Sequence, residues 1–181
     1  MSSSNASGRE FSRNPVYSAN VYVMYHATKG HNVSSILSDG FKPSTGGMLG
    51  PGLYLSRDID KTRAYGDVCL KVLAYTGKTR KMDSADNTGS WRDTCDSAFL
   101  PPNNSVVKSR REETCVKSVD QVRVLGVAYG FKELDGKTRA KVRNLESTTD
   151  DLDEEEKKQL NEMLENMSLT PNGEYRHDFK A

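Results

Sequence analysis

The sequence predicts a single α+β domain in which short strands alternate with short helices. Three observations support this fold class. A chain of 181 residues can bury one ordinary hydrophobic core but has little room for two. Apolar residues recur with strand spacing in several short stretches, at 21–25, 53–55, 68–75 and 115–127. Between them lie two short segments with helix start and stop signals, at 32–38 and from about 58 to 65.

Polar sequence at both ends limits the domain to the middle of the chain. Residues 1–15 are rich in Ser, Asn and Arg without apolar periodicity, which predicts a flexible arm. We assign residues 16–133 to the domain and 134–181 to an acidic tail. The tail holds 8 basic and 12 acidic residues, whereas the rest of the chain has a net charge of +5. Within the tail, an i, i+3, i+4, i+7 apolar stripe predicts one amphipathic helix at about 151–167.

The first part of the domain contains a glycine-rich loop between two predicted strands. The strand at 21–25 leads to His26 at its end, and the helix at 32–38 is stopped by Gly40. The loop 43–52 then holds four glycines and two prolines in ten residues. Because glycine has no side chain, we expect a ligand or another chain segment to approach this loop closely.

The strand at 53–55 leads into a helix that Ser56 or Asp58 can cap and that runs to about Tyr65. Thr62 and Tyr65 are three residues apart and therefore lie on one face of that helix. With His26 and Tyr54 they predict a glycine-walled pocket.

The second part of the domain is predicted to complete a sheet. Residues 68–75 have apolar residues on both faces, which is typical of a central strand. Residues 78–102 are predicted to be irregular, with Trp91 as their large anchor. Two more strands follow within 115–127, joined by a turn at 118–121.

Composition argues against several classes of protein. No apolar run approaches the ~20 residues that cross a bilayer, and the N-terminus lacks the apolar centre of a signal peptide. We therefore expect a cytoplasmic protein without membrane contact, with access to the nucleus left open. The three cysteines show no metal-binding spacing, which predicts free thiols and no metal. Basic runs at 78–81 and 108–111 are not interleaved with aromatic residues, which argues against nucleic acid as a partner.

Six motifs occur along residues 22–129 in a fixed order: His26-Ala27-Thr28, Gly40-Phe41, Gly50-Pro51-Gly52-Leu53-Tyr54-Leu55-Ser56, Lys61-Thr62-Arg63-Ala64-Tyr65, Glu113-Thr114-Cys115-Val116 and Gln121-Val122-Arg123-Val124. In order and spacing they resemble the catalytic domain of the poly(ADP-ribose) polymerase (PARP) type of ADP-ribosyltransferases, with its His-Tyr-Glu signature. Within that family, the small size and the run from Trp91 to Pro101 are most similar to the short, virus-induced, interferon-responsive proteins of fish.

The resemblance implies a fold and a reaction. The fold would be PARP-like, with two small antiparallel sheets in a split sandwich and short flanking helices. NAD⁺ would bind in the cleft as the substrate, without a metal, and ADP-ribose would pass to a protein acceptor. The acceptor and the oligomeric state are left open. Lys117 stands where polymerases of the family have an aromatic residue, and the short chain has no room for their large helical regulatory domain. Both features indicate transfer of single ADP-ribose units.

The resemblance also implies residue roles. The catalytic residues would be Glu113, His26 and Tyr54, and the residues that bind NAD⁺ would be His26, Ala27, Thr28, Gly52, Tyr54, Thr62 and Tyr65. Glu113 would stabilise the cationic sugar, and His26 would hold the adenosine ribose through a ring N–H. The two tyrosines would sandwich the nicotinamide. Thr62 and the backbone of Ala27 would bind its carboxamide, although the family usually has serine and glycine at these two positions.

Each of these candidate site residues could also have a purely structural role. A lone histidine at a strand end is more often a structural residue than a ligand, and Tyr54 and Tyr65 taken singly are ordinary core aromatics. Glu112 is an alternative to Glu113 as the catalytic glutamate, since strand alternation points the two side chains to opposite faces. The following Thr-Cys-Val and the distance to Gln121 favour Glu113. The alternative to an enzyme is a catalytically silent domain of the same type that binds NAD⁺ or ADP-ribose, or acts through protein contacts.

Overall fold

The computed structural model describes residues 20–147 and Lys158. Within these residues the chain forms seven strands, three α-helices and three short 3₁₀ turns. The strands are β1 (Val21–Thr28), β2 (Leu53–Leu55), β3 (Val68–Tyr75), β4 (Thr79–Lys81), β5 (Ser97–Leu100), β6 (Glu113–Val116) and β7 (Val122–Tyr129). The α-helices are α1 (Gly30–Asp39), α2 (Ile59–Thr62) and α3 (Gly136–Ser147), and the 3₁₀ turns are Ser90–Asp93, Val119–Gln121 and Phe131–Glu133.

The strands are divided between two sheets. One has the order β1-β3-β7 and the other the order β2-β6-β5-β4. Among these strands every neighbouring pair is antiparallel except β4 and β5, which run parallel. The α+β class with two mostly antiparallel sheets is therefore confirmed. β3 occupies the centre of its sheet, as its apolar residues on both faces predicted.

Both sheets contribute to one hydrophobic core. Its members include Met24, Leu53, Leu55, Val68, Leu70, Val72, Phe99 and Val116. A second cluster lies on the four-stranded sheet beneath the glycine-rich loop and contains Leu49, Trp91, Ala98, Leu100 and Cys115. The indole Nε1 of Trp91 donates a 2.7 Å hydrogen bond to the Leu49 carbonyl. This bond and the buried ring fix the loop on the sheet, so Trp91 is an anchor as expected.

The elements around the predicted pocket differ slightly from their predicted bounds. β1 continues to Thr28, so His26 lies inside the strand and not at its end. Asp58 is the N-cap of α2 and accepts a 3.0 Å hydrogen bond from the Asp60 N–H. The helix ends at Thr62, three residues before the predicted end. Tyr65 therefore lies on a turn that its N–H closes with a 2.9 Å bond to the Thr62 carbonyl.

The prediction that residues 78–102 are irregular was wrong. This segment contains β4 and β5, and all four residues of β5 are buried between β4 and β6. β4 is a three-residue edge strand of polar residues, so it shows no apolar alternation in the sequence. Its pairing depends on β5, which is distant in sequence.

Residues 134–147, which were predicted to belong to the tail, pack against the domain. Leu134 and Val142 are buried in the core shared by the two sheets. The Asp135 carboxylate accepts a 2.7 Å hydrogen bond from the Thr138 N–H at the start of α3. The packed body therefore includes α3. The predicted arm at 1–15 and, apart from Lys158, the predicted helix at 151–167 lie outside the described residues.

In the described part of the chain, no helix has the length and apolar character needed to span a bilayer.

Candidate functional site

A cleft opens where the edge strands of the two sheets meet. Two backbone hydrogen bonds join β1 to the end of β2, from the Tyr25 N–H to the Ser56 carbonyl (2.7 Å) and from the Ser56 N–H to the Tyr25 carbonyl (3.1 Å). The cleft has a volume of about 720 Å³. Its walls come from β1, the glycine-rich loop, β2, α2, the loop before β6, and β6 itself.

Most of the predicted site residues converge on this cleft. Those that line it are His26, Ala27, Tyr54, Thr62, Tyr65 and Glu113. Thr28 and Gly52 do not line it. The Thr28 hydroxyl instead accepts a 3.1 Å hydrogen bond from the Asn32 side chain. A Cβ at Gly52 would lie 2.5 Å from the Cys115 sulfur, so this glycine serves close packing between β2 and β6.

Glu113 is a buried carboxylate on the cleft wall. It is the first residue of β6, and only 8% of its surface is exposed. Its Oε1 lies 3.2 Å from the ammonium of Lys61, which comes from α2 and is itself buried. The same ammonium donates a 3.4 Å hydrogen bond to the Ser109 hydroxyl and lies 5.7 Å from the ring centroid of Tyr65. Lys61 thus fixes the direction of the Glu113 carboxylate from one side of the cleft.

Glu112 lies outside the cleft. Its carboxylate is buried and accepts a 3.1 Å bond from the Arg57 guanidinium, which lies near the rings of Tyr22 and Phe99. Burial raises the pKa of Glu112 to about 7, and the attraction of Arg57 opposes this only in part. The backbone at Glu112 is also held in place, because the Ser56 hydroxyl donates a 2.9 Å hydrogen bond to the Glu112 carbonyl. Of the two candidate glutamates, Glu113 is therefore the one on the cleft wall.

His26 is held as a neutral imidazole. Its Nδ1 lies 2.9 Å from the Tyr54 carbonyl oxygen, which can only accept, so Nδ1 carries the proton. Burial lowers the pKa of His26, and the bond to Tyr54 offsets this only in part. A neutral ring with its proton on Nδ1 offers an acceptor at Nε2. The resemblance predicted an N–H for the ribose, whereas this ring would accept a hydrogen bond from a ribose hydroxyl. The edge contact with Phe41, at 5.0 Å between centroids, fixes the ring orientation.

Tyr54 is fixed by the glycine-rich loop. Its hydroxyl donates to the Gly50 carbonyl and accepts a 3.1 Å bond from the Leu49 N–H. The loop comes this close because of Gly47, where φ is +146° and an added Cβ would lie 2.5 Å from the Tyr54 hydroxyl oxygen. The expected close approach to the loop is thus made here by another chain segment. Burial raises the pKa of Tyr54, so it stays a neutral phenol.

Thr62 and Tyr65 occupy different depths. Thr62 is buried, and its hydroxyl contacts the Ile59 carbonyl at 2.6 Å and the Tyr129 hydroxyl at 2.9 Å. Tyr65 is 59% exposed at the mouth of the cleft. An exposed aromatic ring at the mouth of a cleft can stack on a flat ligand, because no other part of the protein has to move away from the ring first.

A comparison with protein-family models and with curated proteins finds no match to the chain. The geometry of the cleft is therefore the main support for a function.

Three features of the cleft had no role in the site predicted from the sequence. The first is Lys61, which a helix in isolation would expose to solvent. Its place four residues before Tyr65 is a signal that could have been used, since residues i and i+4 share a helix face. The second is the segment of Val107, Lys108 and Ser109, which precedes β6 and lines the cleft. The third is Met48, an exposed apolar residue at the rim.

Within residues 20–147 and Lys158, no group of three or more His, Cys, Asp or Glu side chains could hold a metal ion. The three cysteines are buried and free.

Proposed function

We propose that the protein is an NAD⁺-dependent ADP-ribosyltransferase with a PARP-like fold that transfers single ADP-ribose units to a protein acceptor. One observation carries the proposal: the buried carboxylate of Glu113 lines the same cleft as His26 and Tyr54, which come from two other strands. These three residues are the His-Tyr-Glu set that the motifs indicate. The narrower resemblance extends the proposal to a role in the innate antiviral response, in the cytoplasm.

The size and lining of the cleft support a dinucleotide ligand. A volume of about 720 Å³ lies within the roughly 300–1,000 Å³ of small-molecule and cofactor sites. The walls combine aromatic and apolar side chains with a few polar groups, which is the usual composition of such sites. The rim provides an aromatic ring at Tyr65 and an apolar side chain at Met48.

Glu113 would act on charge that develops in the reaction. When the bond between the ribose C1′ and the nicotinamide nitrogen breaks, the bonding electrons stay with the pyridine ring, which leaves neutral. The sugar carbon becomes cationic until an acceptor nucleophile attacks it and loses its proton. A fixed carboxylate beside the sugar stabilises this cation, and it does so most strongly in a site that excludes water. The ion pair with Lys61 pre-orients the carboxylate, so little reorganisation is needed.

The other cleft residues would bind the donor. Nε2 of His26 would accept a hydrogen bond from a hydroxyl group of the adenosine ribose. The backbone of Ala27 and the hydroxyl of Thr62 would bind the carboxamide, and Tyr54 and Tyr65 would flank the nicotinamide ring. Ala27 is buried in β1 opposite Cys69, so its methyl group is already accommodated by the sheet.

A second candidate function is a catalytically silent domain that binds NAD⁺ or ADP-ribose. The 3.2 Å pair between Glu113 and Lys61 favours it specifically. A carboxylate whose charge is compensated by a buried ammonium stabilises a sugar cation less than an uncompensated one. In this case the same residues would bind the ligand without turning it over.

Replacing Glu113 by Gln separates the two candidates. The change keeps the shape of the side chain and removes its charge, so NAD⁺ affinity should change little. Turnover should fall by about 10²–10³-fold, the scale on which loss of one electrostatic stabiliser acts. Glu112→Gln is the matched control, because it makes the same chemical change one residue away and outside the cleft, and its turnover should stay close to that of the wild type. NAD⁺ hydrolysis or auto-modification is measured beside a binding isotherm for each variant.

Three outcomes are informative. Equal, background-level activity in the wild type and Glu113→Gln, with NAD⁺ bound by both, would replace the enzyme by the silent binder. An equal loss in both glutamate variants would show that the loss is structural and would remove Glu113 from the reaction. Failure of the wild-type protein to bind either NAD⁺ or ADP-ribose at millimolar concentration would contradict both candidates.

A further inference from the structure

The outer face of the sheet β1-β3-β7 carries a buried apolar patch. Successive side chains of a strand point to opposite faces, so the residues beside Tyr22 and Met24 point away from the core that both sheets share. Three apolar side chains on this outer face are at most 4% exposed, namely Val21, Val23 and Leu73. Val23 on β1 pairs directly with Leu73 on the central strand β3. We call these three residues the outer patch.

The elements formed by residues 20–147 pack elsewhere. Within that range, neither hydrophobic cluster includes a residue of the outer patch. The buried apolar residues of α1 and α3, Val33 and Val142, lie in the core on the other face of the sheet. α2 covers the far end of the outer face, where the Thr62 hydroxyl lies 3.7 Å from the Cys69 sulfur. Burial of the outer patch therefore requires a part of the chain outside 20–147.

We propose that the outer patch is the docking surface of the chain's own segment 157–167, which packs an apolar stripe on the sheet as an α-helix. The stripe has the spacing i, i+3, i+4, i+7 and consists of Leu160, Met163, Leu164 and Met167. Over seven residues of helix it extends about 10 Å, which matches the roughly 10 Å across a sheet of three strands. The docked segment is an integral layer of the fold, and this inference does not depend on the proposed function.

Lys158, the described residue of this segment, fits the arrangement. It is helical and exposed. At 3.6 residues per turn, Lys158 lies about 200° around the helix from Leu160, and therefore on the side opposite the stripe. A helix that packs its stripe on the sheet leaves this lysine in solvent.

The last described helix ends near the edge of the same sheet. Glu146, close to the end of α3, has its Oε2 at 3.4 Å from the backbone nitrogen of Val127 on the edge strand β7. The nine residues 148–156 then separate α3 from the docking segment. Nine residues can span up to about 30 Å, which is more than the width of three strands. The segment can therefore reach the outer patch.

Charge favours this occupant over the N-terminal arm. Lys71 and Arg123 lie on the outer face beside the patch, because Arg123 pairs with Leu73 and Lys71 is two residues before Leu73 on β3. Residues 150–167 contain 8 acidic and 2 basic side chains. Residues 1–19 contain 1 acidic and 2 basic side chains and no apolar stripe. The two cations attract the acidic segment and repel the weakly basic one.

The first test is thermal unfolding of the full chain. Leu164→Ala removes part of the stripe while keeping a high helix propensity. The Tm should fall by roughly 4–10 °C, the scale expected for truncating a buried leucine in a chain of this size. Lys158→Ala is the matched control, because Lys158 is exposed, and its Tm should stay within about 1 °C of the wild type.

A double variant locates the contact of the stripe. Leu73→Ala truncates the centre of the outer patch, so it should lower the Tm by itself. Combined with Leu164→Ala, it should lower the Tm by less than the sum of the two single losses, because both changes remove the same contact.

The second test identifies the occupant by NMR with the full chain. A nitroxide label on Lys158→Cys should broaden the Leu73 amide signal more than the same label on Arg13→Cys in the arm. The native cysteines are buried, so the label attaches to the introduced thiol. In an equal mixture of spin-labelled protein and unlabelled, isotope-enriched protein, the Leu73 signal should stay sharp.

Each part of the proposal can fail separately. An unchanged Tm in Leu164→Ala, or additive losses with Leu73→Ala, would show that the stripe does not contact the outer patch. Stronger broadening from the label on Arg13→Cys would assign the patch to the N-terminal arm instead. Broadening in the mixed sample would assign it to a second copy of the chain. Any of these results would overturn the proposal.

Discussion

Replacing Glu112 by Gln is expected to change how the free energy of unfolding depends on pH. Glu112 is 3% exposed, and its carboxylate contacts the Arg57 guanidinium at 3.1 Å. Burial is the larger influence on it and raises its pKa from the ordinary 4.5 to about 7. Between these two values the unfolded chain has lost its proton at this residue while the folded chain still holds it. The folded state therefore binds more protons, and its stability decreases as pH rises through this window.

The size of the effect follows from the two pKa values. At 1.36 kcal/mol for each pH unit between 4.5 and about 7, Glu112 removes about 3 kcal/mol of stability by the time it is fully ionised in the folded protein. A glutamine cannot ionise, so Glu112→Gln lacks this contribution. The stability of the wild type relative to the variant should therefore fall by about 3 kcal/mol from below pH 4.5 to above pH 7.

Urea unfolding of both proteins at a series of pH values measures this difference directly. Taking the difference cancels the other titrating groups, which the two proteins share. Glu113→Gln serves as the matched control for the chemical change, since it replaces a neighbouring glutamate in the same way. Parallel stability profiles for the wild type and Glu112→Gln would refute the reasoning. A wild type that gains stability relative to the variant with rising pH would show that Arg57 outweighs burial.

Two further predictions concern stability. Gly47→Ala should lower the free energy of unfolding by about 1–3 kcal/mol, because a Cβ at φ +146° would lie 2.5 Å from the Tyr54 hydroxyl oxygen. Gly46→Ala is the control, since nothing lies within 4 Å of the Cβ added there. In the same thermal melt it should destabilise the protein much less. Leu134→Ala should cost about 2–5 kcal/mol in urea unfolding, since Leu134 is buried in the core beside α3, whereas the exposed Lys137→Ala should stay within about 0.5 kcal/mol. Equal stabilities within either pair would contradict the corresponding packing.

The predicted and missed elements differ in where their signal lies. β3 was predictable because its own residues are apolar on both faces, which only a central strand requires. β4 was not, because its polar residues become a strand only through pairing with β5. α3 was missed because it buries only Thr138 and Val142, too few for an apolar stripe. Local pattern thus identified β3, which is apolar on both faces, and missed β4 and α3, which are held by partners elsewhere in the chain.

Features of the candidate site likewise divide into those that the local sequence indicates and those that depend on distant parts of the chain. Motif order alone indicated Glu113, His26 and Tyr54, and all three line one cleft. The ion pair between Lys61 and Glu113 could not be deduced from motif order. A lysine on a short helix is ordinarily solvated, and the burial of Lys61 depends on the loop that contributes Ser109. The direction of the His26 proton likewise depends on a carbonyl 28 residues away in sequence.

A one-residue slip of β6 would put one of Glu112 and Glu113 in the place of the other, because successive side chains point to opposite faces. Each carboxylate has its own cation, Arg57 for Glu112 and Lys61 for Glu113, and both cations come from the segment after β2. The same segment and β6 are joined by the backbone register in which Leu55 pairs with Thr114. A slip in either direction would leave one of the two buried cations without a carboxylate, and a buried charge that loses its partner costs about 3–5 kcal/mol. The two ion pairs together therefore favour the register that places Glu113 on the cleft wall.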